Sequence, residues 1–139
     1  MSLVLDASLT LSWYFEDERT AAVDGLLDRV VEHGAFVPAL WRLEVANGLQ
    51  VSVRRRRLDV AFRDNALAQL ARMPITVDAD TDTYAWGATL HLADRFQLTL
   101  YDAAYLELAQ RRHLPLATLD QPLRAAAGAL RVDLLGIET

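Results

Sequence analysis

The chain contains no cysteine and no lysine; all 14 of its basic residues are arginine. Without cysteine there is no disulfide framework, no thiolate zinc site and no cysteine nucleophile. Without lysine, every mechanism that needs a catalytic lysine is excluded. Long hydrophobic runs are missing too. No apolar stretch approaches the roughly 18–20 residues needed to span a bilayer, so no membrane partner is expected. The N-terminus has no basic segment ahead of an apolar one, and Asp6 interrupts its apolar residues, so no secretory signal is expected either. The cytoplasm is the simplest compartment. The three histidines, His33, His91 and His113, are scattered without ligand spacing and are assigned no chemistry.

What is present fits one ordinary domain over residues 1–139, with 53% hydrophobic content to fill a sizeable core. The formal net charge of -5 counts against a non-specific nucleic-acid binder. One run opposes that trend: Arg54, Arg55, Arg56 and Arg57 are consecutive. Arginine binds phosphate in a fork and stacks on bases. A run of this kind at a helix end is more often simply solvated, where cations complement the helix dipole. The functional alternative is contact with an RNA backbone or with a protein partner.

The organising stretch is Leu3-Val4-Leu5-Asp6-Ala7-Ser8. Three large apolar residues in a row read as a strand buried on both faces, as in the middle of a parallel sheet. The strand ends in a carboxylate, and in open α/β sheets ligands bind at the carboxyl ends of the strands. Ser8 is in place to cap the following helix; the structural alternative for Asp6 is that it does nothing but cap.

Further along, helical periodicity runs through Val23, Leu26, Leu27, Val30 and Val31 and stops at Gly34. Ala35-Phe36-Val37 is a short strand. Helices are expected from Leu40 to about Arg56 and from Leu58 to Met73, with a strand at Ile75-Thr76-Val77. The alternating Asp78, Asp80 and Asp82 resemble the start of a calcium loop, but Thr83 and Thr89 stand where such a loop needs Gly and Glu. They are read instead as acidic capping of one helix carrying Tyr84, Ala85, Ala88, Leu92 and Phe96. Another helix opens at Thr99 and runs to about His113. Pro115 to Thr118 is a strand ending near Asp120, Leu123 to Ala129 a short helix, and Val132 to Leu135 a possible fifth strand. Strands alternating with helices argue for an α/β protein with a parallel sheet covered on both faces.

Four acids stand out. Asp6 and Asp120 each follow an apolar strand and precede a helix, so they meet at one sheet edge if their strands are parallel neighbours. Glu44 lies inside the apolar segment Leu40 to Ala46, where a carboxylate costs free energy unless it is paired or binds a metal. Asp102 starts a helix and is a possible cap. Two carboxylates at about 4 Å repel by roughly 4 kcal/mol at an effective dielectric near 20, and a divalent cation removes that cost. An all-oxygen donor set suits Mg²⁺ or Mn²⁺, and such sites hydrolyse phosphodiesters.

Leu5-Asp6-Ala7-Ser8, Leu43-Glu44-Val45-Ala46-Asn47, Tyr101-Asp102-Ala103-Ala104-Tyr105 and Ala117-Thr118-Leu119-Asp120, in that order over nearly the whole chain, resemble the PIN-domain nucleases. In particular they are similar to the VapC-type toxins of bacterial toxin–antitoxin pairs. The resemblance implies a three-layer α/β/α sandwich around a parallel four- to five-stranded sheet. It implies a ribonuclease dependent on Mg²⁺ or Mn²⁺ that leaves a 5′-phosphate and a 3′-hydroxyl, a cognate antitoxin bound near the site, and a homodimer. Asp6, Glu44, Asp102 and Asp120 match the family's acidic, metal-holding positions. Ser8 and Thr118 match its hydroxyl positions and are expected to orient carboxylates or water; Asn47, three residues after Glu44 on a helix, is expected to do likewise.

Among the aromatics, Trp13, Trp41, Trp86, Tyr101 and Tyr105 are candidates for base stacking, with packing the commoner role. Trp13 and Trp41, near Asp6 and Glu44 in sequence, are the favoured candidates for a partner groove. Haloacid-dehalogenase-type phosphatases need a second Asp where Ser8 stands, and receiver domains need a lysine the chain lacks. The remaining alternative is a non-catalytic PIN-like interaction module whose acids only hold the structure or a partner.

Overall fold

The structure, a computed structural model, describes residues 1–137. Five short strands, β1 (Val4–Leu5), β2 (Ala35–Val37), β3 (Ile75–Val77), β4 (Leu116–Ala117) and β5 (Leu134–Leu135), form one sheet in the order β3-β2-β1-β4-β5. All four pairings are parallel. The helices are α1 (Ala7–Ser12), α2 (Ala21–His33), α3 (Trp41–Arg54), α4 (Val60–Ala71), α5 (Thr81–Ala85), α6 (Ala88–Phe96), α7 (Leu100–Arg112) and α8 (Gln121–Ala129).

The chain steps from β1 to β2 to β3 in one direction, then returns past β1 to β4 and β5. Parallel crossovers are right-handed, so reversing direction puts α1–α4 on one face and α5–α8 on the other. The packing agrees: α1 lies on α3 and α3 on α4, while α7 packs against α6, α8 and β1. This is the expected α/β/α sandwich. The all-apolar Leu3-Val4-Leu5 is fully buried at its centre.

Local chemistry sets the element ends. Thr20, Asp59, Thr99 and Asp120 each accept a backbone N–H at the start of α2, α4, α7 and α8. Gly34 ends α2 with φ of 79°, as its position in the sequence suggests. Three expectations fail. The cap of α1 is Asp6, which accepts from the Leu9 N–H, while Ser8 lies inside the helix. The single helix expected over Tyr84 to Phe96 is two, α5 and α6, broken at Trp86-Gly87. Asp78 does not cap α5 from its edge; it is 2% exposed, and Arg111 donates to both its oxygens at 3.2 and 2.6 Å. Among the described residues no helix is long and apolar enough to cross a membrane.

Candidate functional site

The sheet order reverses between β1 and β4, and the crevice outside the strand ends at such a switch point is where ligands bind in open α/β sheets. Val4 pairs with Leu116 and Leu5 with Ala117, so the residues that leave the two strands emerge side by side. Asp6 follows β1 directly, and its N–H donates to Ala117 O at 3.1 Å. Thr118 follows β4. Its hydroxyl donates to Asp6 Oδ2 and accepts the Asp120 N–H at 3.0 Å, so one side chain links both acids. Ser8 donates to the Asp6 carboxylate at 2.8 Å, and its oxygen faces the Leu119 N–H at 3.4 Å. Ser8 and Thr118 thus both hydrogen-bond the Asp6 carboxylate.

The other acids arrive from the two helical layers. Glu44 is in the first turn of α3 and Asp102 in the first turn of α7. Asp102 is not a cap: Thr99 caps α7, accepting the Asp102 N–H at 3.1 Å. Adding a Cβ to Gly48 would put it 2.5 Å from a Leu11 methyl, so the glycine lets α3 lie tightly against α1.

Electrostatics link the four acids in steps, Asp120 to Asp6 and to Asp102, and Asp102 to Glu44. Burial pushes the Asp6 carboxyl up to about 6, against the opposing hydrogen bonds from Thr118, Leu9 and Ser8, and the Asp120 charge adds to the rise. Burial raises Glu44 as well, opposed by the Tyr105 hydroxyl and helped by Asp102. Burial and then the charge of Asp120 raise Asp102. Among the described residues none of these four acids forms an ion pair with an arginine. Arg124, four residues after Asp120, donates instead to the backbone oxygens of Thr118 and Leu135 at 2.8 and 2.9 Å.

The donor set fits a hard divalent cation: only oxygens, with no arginine paired to them among the described residues. Among the described residues no three His, Cys, Asp or Glu side chains stand close enough to grip one ion together. That spacing is compatible with Mg²⁺, which keeps several of its waters and takes one or two carboxylates at a time.

Other candidates separate from this site. Asn47 is exposed on α3 and, among the described residues, makes no hydrogen bond to any of the four acids, so the helical spacing did not bring it into their network. Trp13 and Trp41 border separate surface cavities, Trp13 beside Tyr14 and Phe62 and Trp41 beside Leu67 and Met73, and little of either ring is open to solvent. They are 6% and 5% exposed, and their indole N–H groups donate to Val23 O at 2.9 Å and Thr10 Oγ1 at 3.1 Å. Both tie the α1 layer together. Arg54 to Arg57 are exposed where α3 ends, about 15 Å along the helix from Glu44 at 1.5 Å per residue. Arg57 stacks over Phe15 and faces Asp17 at 3.5 Å.

Sequence reasoning undervalued two residues. Thr10 donates to the Asp6 carbonyl at 2.8 Å while receiving Trp41, coupling α3 to the Asp6 turn. Tyr105 donates to Glu44 Oε1 at 2.6 Å. Its place three residues after Asp102 on a helix was the available signal.

The PIN domain model matches residues 3–129. A protein named Ribonuclease VapC3 from Mycobacterium tuberculosis is 34% identical over 125 residues, covering 89% of this chain and 86% of that protein. A second Ribonuclease VapC3, from Pyrobaculum aerophilum, is 30% identical over 130 residues, covering 94% and 98% respectively. In three dimensions the crystal structure of PAE2754 from Pyrobaculum aerophilum superposes with a TM-score of 0.67 at 23% identity, over 91% of this chain and 84% of that one. That last likeness speaks for the fold, and the sequence matches go further: the chain belongs to the PIN-domain family and, within it, to the VapC-type proteins.

Proposed function

We propose that the chain is an endoribonuclease dependent on Mg²⁺ or Mn²⁺ and acts as the toxin of a toxin–antitoxin pair. The observation that carries this reading is the set of uncompensated carboxylates at the switch point. The charge of Asp120 raises Asp6 and Asp102, that of Asp102 raises Glu44, and among the described residues no arginine forms an ion pair with any of the four acids. The ribonuclease names of the curated relatives support the substrate class.

In this reading the four acids hold the cation or cations. Bound there, a divalent cation supplies Lewis acidity at the scissile phosphate and makes a water more acidic. The protein contributes orientation. Thr118 and Ser8 fix both oxygens of Asp6, the Leu9 amide fixes Oδ1, and the Leu123 amide fixes Asp120 Oδ2 at 3.0 Å. Carboxylates held this way need little rearrangement to receive a cation, and preorganisation of this kind lowers the barrier. Cleavage leaves a 5′-phosphate and a 3′-hydroxyl. The cognate antitoxin, a homodimeric assembly, a single domain over 1–139 and a cytoplasmic setting belong to the same proposal. The arginine run at the end of α3 is kept as a contact for RNA or antitoxin.

The deciding experiment compares RNA cleavage by the parent chain, Asp6→Asn and Asp102→Asn with added Mg²⁺ or Mn²⁺ and with a chelator. Each substitution should reduce the rate on the order of 10²- to 10³-fold, the usual loss when one preorganised electrostatic group is removed. The chelator should abolish cleavage. Equal cleavage by all three chains removes the mechanism, and a metal-binding but inert parent favours an interaction module.

A further inference from the structure

The hydroxyl of Tyr105 has no packing reason to exist. Tyr105 is 1% exposed, in the middle of the buried face of α7, where a phenylalanine ring would fill the same space. A buried phenol must find a partner, and this one finds the Oε1 of a carboxylate from the opposite helical layer, 61 residues earlier in the chain. Asp102 and Tyr105 are three apart on α7 and share a face. Both act on Glu44, one by charge and one by hydrogen bond. Among the described residues Glu44 has no other side-chain hydrogen bond. A glutamate on a three-torsion stem has many orientations open to it, and a single bond of this kind selects among them.

We propose that Tyr105 is a positioning residue for Glu44: by donating to Oε1 it fixes the carboxylate and leaves Oε2 as the oxygen available to a divalent cation. This rests on the metal-dependent reading above. It differs from a purely structural role, in which the hydroxyl satisfies only itself. Partners that orient a metal-holding carboxylate typically change metal affinity by about 10- to 100-fold when removed. A structural hydroxyl would instead show itself in melting temperature and leave affinity alone.

The test is Mn²⁺ titration of the full chain, with free Mn²⁺ followed by electron paramagnetic resonance, beside RNA cleavage as a function of Mn²⁺. The proteins are the parent, Tyr105→Phe, Glu44→Gln and Tyr14→Phe. Tyr14 makes the same kind of bond, to Gln69 Oε1 at 2.8 Å, on the exposed side of the α1 layer, and controls for losing a phenolic hydroxyl. Tyr105→Phe should bind Mn²⁺ about 10-fold more weakly or worse, in the direction of Glu44→Gln. Its metal-free melting should stay close to the parent's, and its cleavage rate should return to within about twofold of the parent at saturating Mn²⁺. Tyr14→Phe should match the parent throughout. Unchanged Mn²⁺ affinity in Tyr105→Phe overturns the proposal, as does an equal loss in both tyrosine variants. A parent chain that binds no Mn²⁺ sinks the metal reading itself, and that outcome is visible before any variant is made.

Discussion

Asp6 and Asp78 occupy equivalent places, each the first residue after a parallel strand, and each is almost completely buried, at 4% and 2% exposure. Their environments are opposite. Asp6 is met by hydroxyls and amides, all neutral, and by the negative charge of Asp120; burial wins and its carboxyl rises to about 6. Burial pulls Asp78 upward too, but Arg111 bonds to both its oxygens and Arg112 adds charge, so it sits below the usual carboxylate range. Arg111 also holds Glu107 at 2.8 Å and stacks over Tyr84. Beyond β3 the carboxylates are balanced by arginine in a closed network. Beyond β1 and β4, among the described residues, no arginine pairs with the carboxylates. A buried charge left in that condition is what a site for an external cation requires, whereas the Asp78 network is complete and needs no ligand.

The largest effect expected from this contrast lies on the balanced side. Arg111→Ala leaves Asp78 and Glu107 buried without their main partner and should cost about 3–5 kcal/mol, read from urea unfolding at neutral pH. Replacing all three together, as Arg111→Met with Asp78→Asn and Glu107→Gln, should recover much of the loss, because no orphaned charge remains. A loss under about 1 kcal/mol for Arg111→Ala alone would break the comparison.

Next comes pH. A carboxyl whose folded pKa is raised contributes stability that is fully present below its unfolded value and is lost as pH climbs through the folded one. For Asp6 that window runs from 3.8 to about 6, and Glu44 and Asp102 act in the same sense. The metal-free chain should therefore lose about 3 kcal/mol between the bottom and the top of that window from Asp6 alone. Asp78 has the reverse sign: its contribution is lost only as pH falls through its lowered folded value. Asp6→Asn should flatten the Asp6 part of the curve and leave the metal-free fold at neutral pH as stable as the parent or more so, since asparagine caps a helix as well as aspartate. A loss of several kcal/mol in that variant would make Asp6 a structural hub instead. Urea midpoints across the pH range, with chelator, decide it.

The smallest effect sharpens the point about burial. Arg57 and Asp17 are opposite charges at 3.5 Å, but both are exposed. Arg57→Ala should change unfolding free energy by no more than about 1 kcal/mol. Opposite charges matter to this fold where water is excluded and little elsewhere.

Much of this was legible before any coordinates. Leu3-Val4-Leu5 could only be a central strand, and its carboxylate could only emerge at the strand's end. Glu44 was conspicuous because its neighbours Leu43, Val45 and Ala46 are apolar. The break at Trp86-Gly87 was not legible, because the apolar period of Tyr84, Ala88 and Leu92 runs through it without interruption. Asp78 was misread because its partner stands 33 positions away, and an acid before a helix looks the same whether it faces solvent or a guanidinium. The burial of Trp13 and Trp41 was not legible either: closeness in sequence to Asp6 and Glu44 says nothing of which way a ring points. Trp86, in contrast, is 91% exposed.

The sequence by itself determined the element types, the parallel sheet and the acids worth watching, because strand burial, helical period and the cost of a carboxylate among apolar residues are local properties. Only the tertiary structure decided which acids are neutralised. Charge compensation depends on distances between residues tens to more than a hundred positions apart, and those distances follow from strand order. Placing β1 beside β4 joins Asp6 to Thr118 and Asp120, and packing α7 on the sheet brings Tyr105 to Glu44 and Arg111 to Asp78.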